Sequence, residues 1–223
     1  MKTFFKKKLF RAVTILIVLS ALFFTGCTSE ITVELKKDGT VNIGFTGAAG
    51  NAFATLIRSA SGMISDTDSD KNTSVIFDTE QIEYEMARSG FTNAKVVSKT
   101  GTDLNITMTD KNKKSALFTS GVVSIKDNKL CATLTPQKLV DFYNSSDSQT
   151  TQILDMLLSP VFNDEKMSEE EYLEVLASFY GEEIAQEIKD AVFRITLINP
   201  DGTKTIQTIS ITKLLCLDEV IRF

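Results

Sequence analysis

The first 26 residues of this 223-residue chain constrain more than any other feature whether it spans a membrane and which part of it forms the folded domain. Five basic residues and no acid precede an apolar run over residues 12–24, AVTILIVLSALFF. A helix of that length spans about 20 Å, whereas the hydrocarbon core of a bilayer is about 30 Å thick. A basic start, a short apolar run and small residues at its exit are typical of a secretory signal peptide. We therefore predict that residues 1–26 are removed; the alternative is an uncleaved membrane-spanning anchor.

The residues that end the run, Phe24-Thr25-Gly26-Cys27, resemble the lipobox of bacterial lipoproteins. Phe24 replaces the usual leucine and Thr25 the usual alanine or serine, but a small residue still precedes the cysteine. The resemblance implies that Cys27 receives a diacylglyceryl thioether and a further acyl chain such as palmitate on its new amine. Each buried CH₂ contributes about 0.8 kcal/mol, so several chains anchor firmly.

The same resemblance implies a place in the cell. It predicts a protein of the bacterial cell envelope that is lipid-anchored, extracytoplasmic and held to the membrane through acylated Cys27. Thr28, where an aspartate would retain the protein, is compatible with the outer membrane or cell surface if the cell has two membranes.

Charge limits the partners of the remaining residues, 27–223. The whole chain has 24 basic and 29 acidic residues, a net charge of -5, and residues 1–26 carry five of the basic ones and no acid. Residues 27–223 therefore carry a net charge of -10. An acidic domain is not expected to bind nucleic acid or to be drawn to anionic lipid.

The sequence of residues 27–223 predicts one domain of the α+β class. Alternating patterns predict three hairpins, over 31–45, 94–109 and 122–134, the first with an Asp-Gly turn. Helices follow over 137–145, 149–162, 168–180 and 182–190, with Ser168 and Glu171 as a capping box. Strands over 192–198 and from Thr205 to about Leu217 close the chain. This order predicts a mostly antiparallel sheet of about eight strands packed with several helices.

A helix over residues 48–64 carries an apolar stripe that could line a lipid-binding groove. The alternative, which we favour, is that the stripe packs against the sheet as core. Its members are Phe53, Leu56, Ile57, Ala60, Met63 and Ile64.

A family resemblance points the same way as the groove. The Asp-Gly hairpin just after the cysteine, together with Gly90-Phe91-Thr92 leading into a later strand, resembles the LppM-type lipoprotein domain. That resemblance implies lipid binding.

Acidic residues concentrate in 163–190, where ten carboxylates face two lysines. This segment could form a docking face for a basic partner, or simply a solvated helix surface, which we favour. The residues of the candidate face are Glu169, Glu170, Glu174, Glu182, Glu183 and Glu187.

Catalytic and metal-binding patterns are weak. Histidine is absent, which removes imidazole catalysis and imidazole metal sites. The Asp66–Asp70 tract starts like a calcium loop, but Lys71 and Phe77 stand where glycine and glutamate are required. We expect no catalytic residue, metal or cofactor.

Two short patterns resemble motifs of penicillin-binding enzymes, namely Ser210-x-x-Lys213 and Lys99-Thr100-Gly101. Their order is reversed, and Ser210 lies in a predicted strand instead of leading a helix. We interpret both as coincidence.

The remaining cysteines, Cys131 and Cys216, are predicted to be buried free thiols, with a disulfide as the alternative. The sequence as a whole predicts a non-catalytic envelope lipoprotein that binds a protein partner or a lipid. The alternative is a hydrolase-type enzyme that uses carboxylate, serine or tyrosine side chains.

Overall fold

The computed structural model describes residues 28–60, 76–144, 151, 154–155, 157–158 and 167–223. The strands in these ranges are β1 (Thr28–Leu35), β2 (Val41–Ala48), β3 (Thr92–Val97), β4 (Asp103–Asp110), β5 (Val123–Lys126), β6 (Lys129–Leu134), β7 (Val192–Ile198), β8 (Lys204–Ser210) and β9 (Ile221–Arg222). The helices are α1 (Asn51–Ala60), α2 (Thr79–Arg88), α3 (Ala116–Thr119), α4 (Pro136–Tyr143), α5 (Glu169–Tyr180), α6 (Glu182–Asp190) and α7 (Ile211–Leu215). The predicted α+β class is confirmed.

Six strands form one sheet in the order β3-β4-β2-β1-β7-β8. Every neighbouring pair is antiparallel except β1 and β7, which run parallel with Thr28 opposite Val192 and Glu34 opposite Ile198. The first strand of the domain is therefore fixed from both sides, by the hairpin partner β2 and by a strand from near the end of the chain.

A smaller sheet has the order β5-β6-β9. Asp127 and Asn128 form its hairpin turn with φ of 50° and 60°, the left-handed conformation that two-residue hairpin turns favour. The amide of Ala132 donates to the carbonyl of Phe223 at 2.8 Å, which holds β9 against β6.

Alternate residues of the six-stranded sheet face opposite sides. On the covered face, residues such as Phe45, Ile106 and Phe193 are buried in one hydrophobic core with residues of α1, α5, α6 and α7. On the open face, the side chains are mostly exposed or half-buried and many are threonines. Its middle row across the strands is Lys95, Thr107, Gly44, Thr32, Thr196 and Ile206.

Local signals set the helix ends. Asp78 accepts the amide of Gln81 at the start of α2, and Thr135 accepts that of Lys138 beside Pro136 in α4. Ser168 and Glu171 make the predicted reciprocal capping box of α5. Gly181, with φ of 97°, separates α5 from α6.

Two sequence predictions about the helical part were wrong. The last strand ends at Ser210 instead of Leu217, because Ser210 caps α7 and residues 211, 214 and 215 are buried at helical spacing. The helical spacing of Tyr172, Val175, Leu176 and Phe179 predicts one buried stripe on α5, but Phe179 is 75% exposed. In this last turn it is Tyr180, not Phe179, that packs against the core.

No helix within the described ranges is long and apolar enough to cross a membrane.

Candidate functional site

The residue that follows the predicted lipidation site, Thr28, already belongs to the six-stranded sheet. Cys27 and the predicted signal peptide lie outside the described residues, and β1 starts at Thr28. Ser29 is fully buried, and both edges of β1 are paired from its first residues. A group attached to Cys27 would consequently be joined to the middle of the sheet without a flexible linker.

The described part of the α1 stripe is core. Phe53 is 1% exposed and Ile57 is 8% exposed, and both pack in the main hydrophobic cluster with half-buried Leu56 against it. The side chain of Ala60 and all of residues 63 and 64 lie outside the described set. Within that set the favoured interpretation of the stripe, packing, is the arrangement observed.

Two of the six candidate docking glutamates make contacts inside the domain. The carboxylate of Glu187 accepts the amides of Ala52 and Phe53, both at 3.0 Å, and so caps the first turn of α1. Ala52 and Phe53 lie far from Glu187 in sequence, so no local sequence pattern indicates this role.

Glu169 makes the second such contact. Its Oε2 accepts the hydroxyl of Ser210 at 3.0 Å and also that of Thr212. The other four candidates, Glu170, Glu174, Glu182 and Glu183, have exposed side chains. The face is thus reduced to four glutamates at the surface of α5 and α6.

The Ser210-x-x-Lys213 pattern does lead a helix, which corrects its assignment to a strand. The Oγ of Ser210 accepts the backbone amide of Lys213 at 3.1 Å as the cap of α7. The Nζ of Lys213, however, bonds Oε1 of Glu219 at 2.7 Å. The ammonium is therefore paired away from the hydroxyl, and the serine acts as a helix cap beside Glu169.

Both remaining cysteines are free thiols and half-buried. Burial, followed by the negative charges of Glu169 and Asp218, raises the pKa of Cys216 to about 12. Because the thiolate is the nucleophile, Cys216 is a protonated, unreactive thiol near neutral pH.

A surface groove that the sequence did not indicate lies between α2 and the edge strand β3. It has a volume of about 380 Å³ and is lined by Thr79, Glu80, Glu83, Tyr84, Ala87 and Val96. Glu83 accepts the backbone amide of Val96 at 3.2 Å, so α2 satisfies part of the sheet edge. Tyr84 is 58% exposed, with the guanidinium of Arg88 5.5 Å from its ring.

Neither a protein-family model nor a curated protein nor a solved structure matches this chain. The resemblance to the LppM-type domain stays a hypothesis drawn from the residues.

Proposed function

We propose that this chain is a non-catalytic lipoprotein of the bacterial cell envelope, anchored through acylated Cys27, whose extracytoplasmic domain binds a partner. The observation that carries the proposal is that Thr28, one residue after the lipobox cysteine, lies in β1. Because β1 lies inside the six-stranded sheet, the anchor would attach the sheet to the bilayer at its Thr28 end. Such a domain is suited to presenting a fixed surface.

The surface of α5 and α6 supports a protein partner over a lipid. Glu170, Glu174, Glu182 and Glu183 remain exposed on two adjoining helices and present four negative charges to a basic partner. Phe53 and Ile57, by contrast, are buried within the core, which leaves the described part of α1 occupied by protein packing.

The best candidate residues for the hydrolase alternative are Ser210 and Glu169. The contacts of these two residues have a structural role: Ser210 caps α7, and its hydroxyl donates to Glu169 at 3.0 Å. The carboxylate of Glu169 also accepts the hydroxyl of Thr212, and the ammonium of Lys213 bonds Glu219, so neither group is reserved for Ser210 as a general base would be.

The anchor is tested with the Cys27→Ala variant of the full-length chain, expressed in a bacterium and followed by intact mass and by incorporation of a labelled fatty acid. We expect the wild type to lose residues 1–26, take up label and fractionate with membranes. The variant should keep residues 1–26 and take up none.

Cys131→Ser and Cys216→Ser are the matched controls, because each removes one cysteine outside the lipobox, and both should label like the wild type. A wild type that keeps its first 26 residues and takes up no label would overturn the proposal.

A further inference from the structure

Four loops meet at the end of the six-stranded sheet that is opposite Thr28. Leu35 pairs with Val41, which pairs with Asp110, so the loops 36–40 and 111–115 leave the sheet side by side. Ile198 pairs with Lys204, which brings the β7–β8 turn and the first residue of β8, residues 199–204, to the same end. We call these three segments, together with 126–129, the basic end.

The fourth segment is fastened to the third by direct contacts. The amide of Leu130 donates to Oδ1 of Asn199 at 2.8 Å. The pKa of Asp201 is lowered by hydrogen bonds from the hydroxyl and amide of Thr203 and, to a smaller extent, by the positive charge of Lys129. The turn of the β5–β6 hairpin therefore lies beside the β7–β8 turn.

The charge of the basic end is opposite to that of the domain. It holds eight lysines and three aspartates, a net charge of +5, on a domain whose net charge is -10. Its lysines are Lys36, Lys37, Lys111, Lys113, Lys114, Lys126, Lys129 and Lys204.

These charges are available at the surface. Lys36 bonds Oε1 of Glu34 at 2.6 Å, but none of the other seven lysines makes an ion pair with a described residue. Six of the seven are exposed and Lys113 is half-buried. Asp110, which directly precedes the loop 111–115, is buried and accepts the amides of Asn112 and Ser115.

The composition of the basic end indicates what it fits. Its four segments contain no arginine and no aromatic residue. Protein interfaces are enriched in aromatic residues and arginine and depleted of lysine, and their affinity centres on buried anchors. A lysine ammonium is a compact, hydrated point charge, and lysine binds phosphate in that way, without the fork geometry or stacking of arginine. The loops leave five adjacent strands and so spread the charges over about 20 Å.

We propose that the basic end binds an extended anionic polymer whose repeating charge is phosphate. The basic end is a second surface, separate from the α5–α6 face of the proposed function. Its orientation relative to the bilayer rests on the lipid anchor of that proposed function. The eight residues of β1 place the basic end about 26 Å from Thr28. A domain anchored at Cys27 would hold it away from its own bilayer, towards a polymer of the envelope.

The test measures binding of long-chain inorganic polyphosphate to the full-length protein in neutral detergent micelles. We expect binding to weaken about 100-fold between about 50 and 200 mM salt, as for about five phosphate contacts on a flexible chain. Lys111, Lys113 and Lys114 changed together to Gln should weaken binding and lower the slope of log K against log salt by about 2.

The matched control changes Lys95, Lys99 and Lys189 together to Gln, which removes the same charge outside the basic end. We expect its affinity and salt slope to equal those of the wild type. An equal loss of affinity in both triple variants would mean that only the net charge of the protein matters, and it would overturn the proposal. A wild type that does not bind at about 50 mM salt would overturn it as well.

Phosphatidylglycerol mixed into the detergent micelles separates a polymer from a lipid surface carrying the same phosphate chemistry. We expect the wild type to bind polyphosphate in neutral micelles and in the mixed micelles; loss of polyphosphate binding in the mixed micelles would make the partner a membrane and contradict the proposal. Because all arms use micelles, they are independent of acylation. A failure here is therefore distinguishable from a failure of the Cys27 experiment.

Discussion

On the covered face of the six-stranded sheet, Phe45 and Phe193 are 1% and 2% exposed, whereas their chain neighbours on the open face, Thr46 and Arg194, are exposed. One backbone thus carries two surfaces with different physical demands. Side chains on the covered face must fill the core shared with the helices. Those on the open face need only suit a strand, and so they can vary without loss of the fold.

Phe193→Ala tests the covered face and should have the largest effect. Removing a fully buried phenyl ring loses its burial and leaves a cavity, which costs about 3–5 kcal/mol of unfolding free energy. Urea denaturation of the full-length chain in neutral detergent measures it. Arg194→Ala, one residue along β7, is the control and should change the free energy by less than about 0.5 kcal/mol. Equal losses in the two variants would show that something also packs on the open face.

Asp103→Asn tests a residue of the open face that, unlike its neighbours there, we expect to contribute to stability. Oδ1 of Asp103 accepts the amides of Lys99 and Thr100 at 2.8 and 2.6 Å and the hydroxyl of Thr100 at 2.7 Å. Because these bonds favour a charged acceptor, we expect the variant to lose about 1 kcal/mol, a value discounted for solvent screening. Asp218→Asn, an exposed acid outside any strand, should cost less.

The loss at Asp103 should depend on pH. Burial alone would raise the pKa of Asp103, but the hydrogen bonds from Thr100 and Lys99 outweigh it and lower the pKa from 3.8 to about 2. A carboxylate whose pKa is lower in the folded state stabilises the fold above its unfolded pKa. The difference between wild type and Asp103→Asn should therefore be full above about pH 4 and disappear towards pH 2. A difference that is constant over this range would contradict the assignment.

Gly44→Ala should have the smallest effect and the opposite sign. A Cβ at Gly44 would meet nothing within 4 Å, and its backbone is ordinary strand. Alanine should raise the unfolding free energy by about 0.5–1 kcal/mol because glycine loses more conformational freedom on folding. Thermal melting measures the shift.

Gly39→Ala is the contrasting variant. Gly39 has φ of +82°, and an added Cβ would lie 3.2 Å from Nζ of Lys113. This variant should be destabilised. Destabilisation by Gly44→Ala as well would indicate that the open face is covered at its centre.

Much of the local structure could be predicted because its causes lie close together in sequence. The Asp-Gly hairpin, the caps at Asp78, Thr135 and Ser168 and the break at Gly181 each involve residues within a few positions of one another. The last strand was extended past Ser210 because the alternation of residues 205–211 continues into α7. Only the cap at Ser210 and the helical spacing of the buried residues after it distinguish the helix α7 from a longer strand.

Long-range neighbours could not be predicted from the same patterns. Alternation shows which side of a strand is apolar but does not name its partner, so the parallel pairing of β1 with β7 was missed. The contact of Glu187 with Ala52 and Phe53 and the meeting of four lysine-bearing loops depend on that topology. The candidate surfaces could therefore be proposed only with the fold in hand.

The place of β1 in the sheet also sets the order in which the domain can be completed. Its hairpin with β2 is available early in synthesis, but the other edge of β1 waits for residues 192–198. Such distant pairing slows folding, and an unpaired strand edge with alternating apolar side chains is a template for association with other chains. The period between synthesis of β1 and of β7 is accordingly when a newly made chain is most exposed to aggregation. Shielding this one edge during that period would protect the nascent domain.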